Sequence, residues 1–323
     1  MKKESHAKTR VLTADFFAGI GGIRLGFEDA GFKTAFSNDL DPFCKITYDL
    51  NFKSSQLVVE DIFKIDENKL PRFDVFTGGF PCQPFSIAGY RKGFKDKGRG
   101  DVFFEIARII ERIKPKVVFL ENVKNLKSHD NGRTYKIIEK TLKGLGYHIR
   151  SEVLNTMIHG GVPQNRERIY IVGFRNKRFA ERFEFPKTIP LKVKVADILD
   201  SDVPEKYYYQ SHSAIYRKLK DEIVSMETVY QWRRKYVREN KKGVCPTLTA
   251  NMGMGGHNVP LIRDRKGIRK LTPSECLRLQ GFPKRYKLPS GIADSRLYKQ
   301  VGNSVSVPVI RRIAKEIRKA MGN

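Results

Sequence analysis

The chain has little cysteine, little acid and no long apolar run, and each shortage removes a class of protein. Its four cysteines, Cys44, Cys82, Cys245 and Cys276, are scattered through 323 residues without a C-x-x-C pair. Neither a disulfide framework nor a metal site is therefore expected. The longest apolar stretches, such as Ile169–Phe174 and Val117–Leu120, fall far short of the roughly 18 residues a membrane helix needs. Met1–Thr9 is polar and charged and carries no apolar signal core, so a cytoplasmic protein is expected, with no membrane partner. No fixed-period repeat or low-complexity tract is visible. Acid is scarce beside base: 35 Asp+Glu against 62 Lys+Arg leave a net charge of +27. Such an excess repels itself unless a polyanion neutralises it, which favours nucleic acid over a merely solvated surface.

What remains suits a folded protein of about two domains, since 40% of the residues are hydrophobic and 11% aromatic. Over the first 175 residues, apolar strands alternate with helical patterns. Strands are expected at Arg10–Phe17, Thr34–Ser37, Gln56–Val59, Phe73–Thr77, Lys116–Leu120, Val153–Thr156 and Arg168–Phe174. Between them, Phe103, Ile106, Ile109, Ile110 and Ile113 share one helical face. This alternation predicts an α/β fold with a doubly wound, mostly parallel sheet. From about Pro186 the alternation fades into a basic, aromatic-rich segment, so a smaller second domain is expected there. Tyr207–Tyr209 within it reads as core. Val309, Ile310, Ile313, Ala314 and Ile317 predict a last helix that covers the large sheet.

Polar residues at the strand ends are the candidates for chemistry. Asp39, Asp61, Cys82 and Glu121 each follow the C-terminal end of an expected strand, and such ends converge on one crevice in an open parallel sheet. Phe17-Ala18-Gly19-Ile20-Gly21-Gly22 is a glycine turn that lets backbone N–H groups approach a ligand. It departs from the dinucleotide fingerprint, whose third glycine would fall at Arg24. Asp39, about 20 residues further on, is placed for a ribose diol, so the pair suggests a nucleoside cofactor. Cys82 sits between Pro81 and Gln83-Pro84 in a stiffened turn, and Arg166 and Arg168 would supply the positive charge a thiolate needs. Glu121 ends a buried strand, where a carboxyl has a raised pKa suited to sharing a proton. The other three cysteines read as small buried hydrophobes.

In this order, Phe17–Gly22, Gly79-Phe80-Pro81-Cys82-Gln83, Glu121-Asn122-Val123, Gln164-Asn165-Arg166-Glu167-Arg168 and Gly302-Asn303-Ser304-Val305 resemble the bacterial DNA (cytosine-5)-methyltransferase family. The resemblance runs from about Asp15 to the C-terminus and leaves a gap at roughly 187–268. It implies a Rossmann-like catalytic domain over 1–186 plus 302–323, with a target-recognition domain and hinge over 187–301. It implies S-adenosyl-L-methionine as cofactor, S-adenosyl-L-homocysteine as product, and no metal. Cys82 would attack C6 of a cytosine flipped out of duplex DNA. Glu121 would contact N3 and the exocyclic amine, Arg168 the O2, and Arg166 the same pocket. The cofactor would lie against Phe17, Gly19, Gly21, Gly22, Asp39, Leu40, Asp61, Ile62, Pro81, Asn303 and Ser304. Asp39 stands where many relatives have Glu, one methylene longer. Arg91, Lys92 and Arg99 fall in a stretch resembling the family's mobile catalytic loop. Arg233, Arg234, Arg238, Asn251 and His257 are candidate base readers, since Arg pairs with guanine and Asn with adenine.

The resemblance further implies a monomer that protects host DNA beside a cognate restriction endonuclease. Two other readings compete. One is a tRNA cytosine-5 methyltransferase on the same scaffold, whose Cys-Phe-Thr tripeptide has Cys245-Pro246-Thr247 as its nearest counterpart here. The other is a catalytically silent DNA-binding protein, which would not need Cys82, Glu121 and two arginines together. If the excess charge faces a duplex, affinity falls steeply as salt rises, by roughly 10³-fold between about 50 and 200 mM. A salt titration by fluorescence anisotropy checks this; a flat curve would put the basic surface elsewhere.

Overall fold

The computed structural model describes residues 10–81, 102–233, 235–240, 243–252 and 259–322. The first half supplies β1 (Leu12–Phe16), β2 (Lys33–Asp39), β3 (Val58–Val59), β4 (Val75–Gly79), β5 (Val117–Val123), β6 (His148–Asn155), β7 (Gln164–Asn165) and β8 (Glu167–Phe174). Seven of these form one sheet in the order β3-β2-β1-β4-β5-β8-β6. The strands from β3 to β5 run parallel, while β8 is antiparallel to both β5 and β6. The doubly wound, mostly parallel sheet is as expected; the reversal at β8 follows from the short connection that leads into it from β6, the helix Thr156–Gly160 and β7, which is too short to cross back over the sheet.

Apolar runs explain the layers. Val117–Leu120 is fully buried, as a central parallel strand covered on both faces must be. The helix Val102–Ile113 buries Phe103, Ile106, Ile109 and Ile110 against Phe76, Val118 and Leu120 on one face. On the other face, the helix Val307–Ala320 buries Val309, Ile310, Ile313, Ala314 and Ile317 with Val117, Phe119 and Val172. That helix lies so close to the helix Gly22–Asp29 that a Cβ added at Gly26 would sit 2.5 Å from Ile310 Cγ2. The strand order reverses between β1 and β4, and the crevice there opens at the strands' carboxyl ends.

The later part of the chain adds β9 (Val229–Trp232), β10 (Val237–Asn240), β11 (Cys245–Pro246), β12 (Pro260–Arg263) and β13 (Ile268–Lys270). Four of them make an antiparallel sheet in the order β10-β9-β12-β13, and β11 pairs in parallel with β7. Tyr207 is buried, Tyr208 donates to Asp264 Oδ2 at 2.8 Å, and Cys44, Cys245 and Cys276 are buried thiols. Arg269, fully buried on β13, makes a bidentate pair with Glu275 at 2.8 and 2.9 Å and reaches Asp264 at 2.7 Å. Those bonds fasten the second sheet to the helix Pro273–Leu279, whose Cys276, Leu277 and Leu279 share one apolar core with Ala18, Ile20 and Val229.

One acid on β1 is fully buried. Asp15, on β1, accepts from Thr77 Oγ1 at 2.8 Å, while its Oδ2 has no partner among the described residues. Burial lifts its pKa from 3.8 to about 7, against the Thr77 bond and the nearby Arg24. The folded state then holds a proton that the unfolded chain releases, so this group costs stability as pH rises from about 4 to about 7. Asp15→Asn is therefore expected to gain melting temperature relative to the wild type across that window. Thermal melts of both proteins at pH 4 and pH 8 check it, and a constant difference would contradict it.

Candidate active site

The crevice is a cleft of about 820 Å³. One wall is the turn after β1. Phe17 takes a positive φ of 54°, a conformation costly for an aromatic residue, and so turns the chain sharply off the strand. Gly19 N–H donates to Asp39 Oδ2 at 2.8 Å, and Asp41 N–H donates to Asp39 Oδ1 at 2.8 Å. Burial pushes the Asp39 carboxyl up, and these two N–H groups pull it back. A Cβ built at Gly19 meets nothing within 4 Å, whereas one at Gly22 would lie 2.8 Å from both Ser304 Oγ and Val305 Cγ2. The missing side chain at Gly22 thus brings the last motif of the chain against the first.

Phe17, Gly19, Gly22, Asp39, Leu40, Pro81, Asn303 and Ser304, all expected at a cofactor, line this one cleft. Gly21 does not: its φ is 80°, and a Cβ there would lie 2.3 Å from Phe52 Cε2, so it serves packing behind the turn. Asp61 and Ile62 also lie off the lining. Asp61 caps a short helix by accepting from Phe63 N–H at 3.1 Å, and Ile62 is buried in the core against β4. Residues not anticipated also line the wall, among them Phe43, Thr249, Ala250, Arg296, Lys299 and Gln300. Arg296, Lys299, Gln300 and Asn303 recur at helical spacing along Asp294–Asn303, a signal that strand-end reasoning passes over.

Glu121 and Arg168 face the same cleft from β5 and β8. The antiparallel register sets Arg168 opposite Val123 and Tyr170 opposite Glu121, which brings Arg168 Nε to 3.2 Å from Glu121 Oε1. This is a charge contact without hydrogen-bond alignment, and that buried oxygen has no hydrogen-bond partner among the described residues. Burial raises the Glu121 pKa, while Arg168 and Arg166 oppose the rise. Asn122 Nδ2 donates to the Phe80 carbonyl at 3.0 Å and ties the end of β5 to the chain beyond β4. Arg166 is buried and gives its Nη1 to the Leu248 carbonyl at 2.8 Å and its Nη2 to the Ser304 carbonyl. Burial and the neighbouring Arg168 lower its pKa to about 9, so it stays charged at neutral pH.

Cys82, Arg91, Lys92, Arg99, Arg234 and His257 lie outside the described residues. Among the candidate base readers inside them, Arg233 and Arg238 are exposed on the β9–β10 hairpin, and Asn251 accepts from Thr249 Oγ1 at 2.6 Å. None of the three lines the cleft.

The chain matches the family model for C-5 cytosine-specific DNA methylases over residues 11–319. It is 54% identical over 312 residues to the Type II methyltransferase M.Bsp6I of Bacillus sp. (strain RFL6), covering 95% of this chain and 98% of that protein. With the Type II methyltransferase M.HhaI of Haemophilus parahaemolyticus it shares 40% identity over 324 residues, covering 94% and 93%. Among solved structures, S. pombe Dnmt2 methyltransferase superposes with a TM-score of 0.75 at 18% identity, over 97% of this chain and all of that one, a likeness of fold alone.

A buried carboxyl with a raised pKa at the edge of a cleft suits proton sharing with a ligand, which an amide of the same shape cannot do. Glu121→Gln is expected to slow methyl transfer at least about 100-fold with little change in melting temperature. Single-turnover kinetics beside thermal melts check this; an unchanged rate would remove Glu121 from the chemistry.

Proposed function

Because this chain belongs to the C-5 cytosine-specific DNA methylase family, it is a DNA cytosine-5 methyltransferase, and we propose that Cys82, Glu121, Arg166 and Arg168 carry its reaction. The observation that carries the assignment is the buried Glu121 carboxyl paired with Arg168 at 3.2 Å, in the cleft that also contains the Gly19–Asp39 contact. Glu121 would hold N3 and the amine of the flipped cytosine, and Arg168 its O2. Cys82, joined directly to the lining residue Pro81, would add its thiolate sulfur to C6. The electron pair displaced from the C5–C6 bond makes C5 nucleophilic. After C5 is methylated, loss of the C5 proton and cleavage of the C6–S bond restore the aromatic ring and free the thiol.

A methyltransferase of this family uses S-adenosyl-L-methionine, which supplies an electrophilic methyl group when bound. The residues fit that cofactor. The open space at Gly19, the Asp39 carboxylate beside it and the half-buried Phe17 ring suit a nucleoside, and Gly22, Asn303 and Ser304 suit its amino-acid end. Among the described residues no group of three or more His, Cys, Asp or Glu is placed to hold a metal ion.

Residues 187–301 would form the target-recognition domain and hinge, and 1–186 with 302–323 the catalytic domain. Arg233, Arg238 and Asn251 would face duplex DNA, with Arg91, Lys92, Arg99, Arg234 and His257. The Type II methyltransferases among its relatives favour DNA over the tRNA reading. We further propose a cytoplasmic monomer that acts on one strand at a time and shields host DNA from a cognate endonuclease. No helix among the described residues is long and apolar enough to cross a membrane.

The deciding experiment is tritiated methyl transfer to unmethylated genomic DNA and, in parallel, to tRNA, with bisulfite sequencing of the DNA product. Label in DNA alone, at one short motif, is expected; label in tRNA alone would overturn the substrate. Cys82→Ser is expected to abolish transfer while retaining DNA binding, and surviving turnover would overturn the covalent mechanism.

A further inference from the structure

The amino-terminal edge of the large sheet, opposite the cleft, carries a basic surface that the reaction does not use. β5 enters the sheet there and β8 leaves it, since Val117 stands opposite Phe174. The rise along β5 puts this edge roughly 20 Å from Val123, which lines the cleft. A hollow of about 340 Å³ at the edge is lined by Lys114, Lys116 and Arg175, with Phe179 and Met321. Arg175 N–H donates to the Lys116 carbonyl at 3.0 Å, which holds these two residues side by side. The helix Lys177–Arg182 supplies Phe179 to this hollow and Lys177 and Glu181 to a second, of about 540 Å³, beside Lys143, His148 and Arg150. Across the two hollows six Lys and Arg thus meet one carboxylate. Lys116 pairs with Asp74 at 2.9 Å, Lys143 with Glu139 at 3.0 Å and Lys177 with Glu181 at 3.7 Å. Lys114 and Arg175 have no carboxylate partner among the described residues. Beyond Arg150 a further hollow holds Glu152 and Glu184, and the basic surface ends there.

We propose that this edge is a second DNA-binding surface, which takes the phosphate backbone of a separate duplex while the cleft holds the duplex to be methylated. The inference rests on the DNA reading above and goes beyond it. Cations gathered within about one Debye length repel one another, and a row of phosphates relieves that repulsion. Lys and Arg heads on a surface hold phosphates without reading bases, so the second duplex needs no particular sequence. The duplex in the cleft cannot supply those phosphates. DNA is stiff over about 150 base pairs and does not fold back around one chain of this size to the opposite edge of its sheet. A protein partner fits less well, since interface cores are apolar and poor in Lys. None of the large exposed apolar side chains among the described residues lines either hollow. A chain that holds two duplexes can pass from one to the other without first being free in solution.

The test titrates the full chain with a duplex of arbitrary sequence and about 12 base pairs, far below the persistence length, and counts bound duplexes by sedimentation velocity. Wild type is expected to take two per chain, the second more weakly. The triple variant Lys114→Asn, Arg175→Gln, Lys177→Gln is expected to bind the second at least about 10-fold more weakly, with the salt slope of that step reduced by about 3. Asn is chosen at 114 because the backbone there has a φ of 54°, which Asn tolerates. Melting temperature and the rate of methyl transfer to DNA are expected to stay as in wild type. Should the triple variant fail to melt cooperatively, Arg175→Gln alone serves, with a loss of about 3-fold in the second step. A wild type that takes one duplex only, or a folded variant that binds the second as wild type does, would overturn the proposal. So would vesicles of phosphatidylglycerol that displace the second duplex at equal phosphate concentration, which would assign the edge to a membrane surface. Absence of methyl transfer to any DNA would instead overturn the underlying function, and the duplex count would still decide the second surface.

Discussion

Two ends of the chain meet at this site with no room for a methyl group between them. Gly22, at the start of the first helix, faces Ser304 and Val305 at distances that a Cβ would reduce to 2.8 Å, and Gly302 faces the Thr249 carbonyl at 2.2 Å on the same measure. Close packing of this kind is rigid, because interiors accommodate added atoms only by shifting backbone. Everything else in the cleft is hung on it. The turn after β1 fixes Gly19 and through it Asp39; the last motif fixes Asn303 and Ser304; the segment beyond β11 is held where Thr249 and Ala250 form part of the wall.

The site also concentrates charges in the one place where charge is expensive. Glu121 and Arg166 are both buried, and Asp15 lies fully buried on the β1 strand. Each carries a pKa displaced mainly by desolvation: the two acids upward, the arginine downward. Removing ions from water is repaid only where carbonyls or opposite charges stand ready. Arg166 has three carbonyls near it, Asp15 has Thr77 and Glu121 has Arg168 at 3.2 Å, so each is partly compensated, and each keeps one buried atom without a hydrogen bond among the described residues. Incomplete satisfaction of this kind is unfavourable for folding. The Arg269–Glu275 pair is the contrast: it is closed by two bonds near 2.8 Å, has Asp264 and a helix cap around it, and serves to fasten one sheet to the next helix.

Much of this was legible in the chain, and the reasons differ by feature. The sheet could be read because Val117–Leu120 and Ile169–Phe174 are apolar runs of strand length separated by helices of helical period. The direction of β8 could not, since a strand's own residues do not encode which neighbour it pairs with. Strand-end reasoning pointed to Asp39 and Glu121, which line the cleft, because a parallel sheet sends its carboxyl ends to one edge. It carried less far for Asp61, which caps a turn, and for Gly21, which makes room for Phe52. It missed Arg296, Lys299 and Gln300 altogether, because they reach the cleft from a helix near the far end of the chain.

By itself, then, the sequence determined the α/β class, the polyanionic partner implied by +27, and the ordered motifs that place the chain in its family. These are properties of composition, period and local order, and they survive without knowing any contact across the chain. Only the tertiary structure decided that Arg166 turns toward Leu248 and Ser304, that Glu121 pairs with Arg168, and that a helix ending at Asn303 walls the cleft opened by Phe17. Desolvation and close approach depend on which segments are neighbours in space, and residues 82 and 136 positions apart become neighbours only when the sheet has formed.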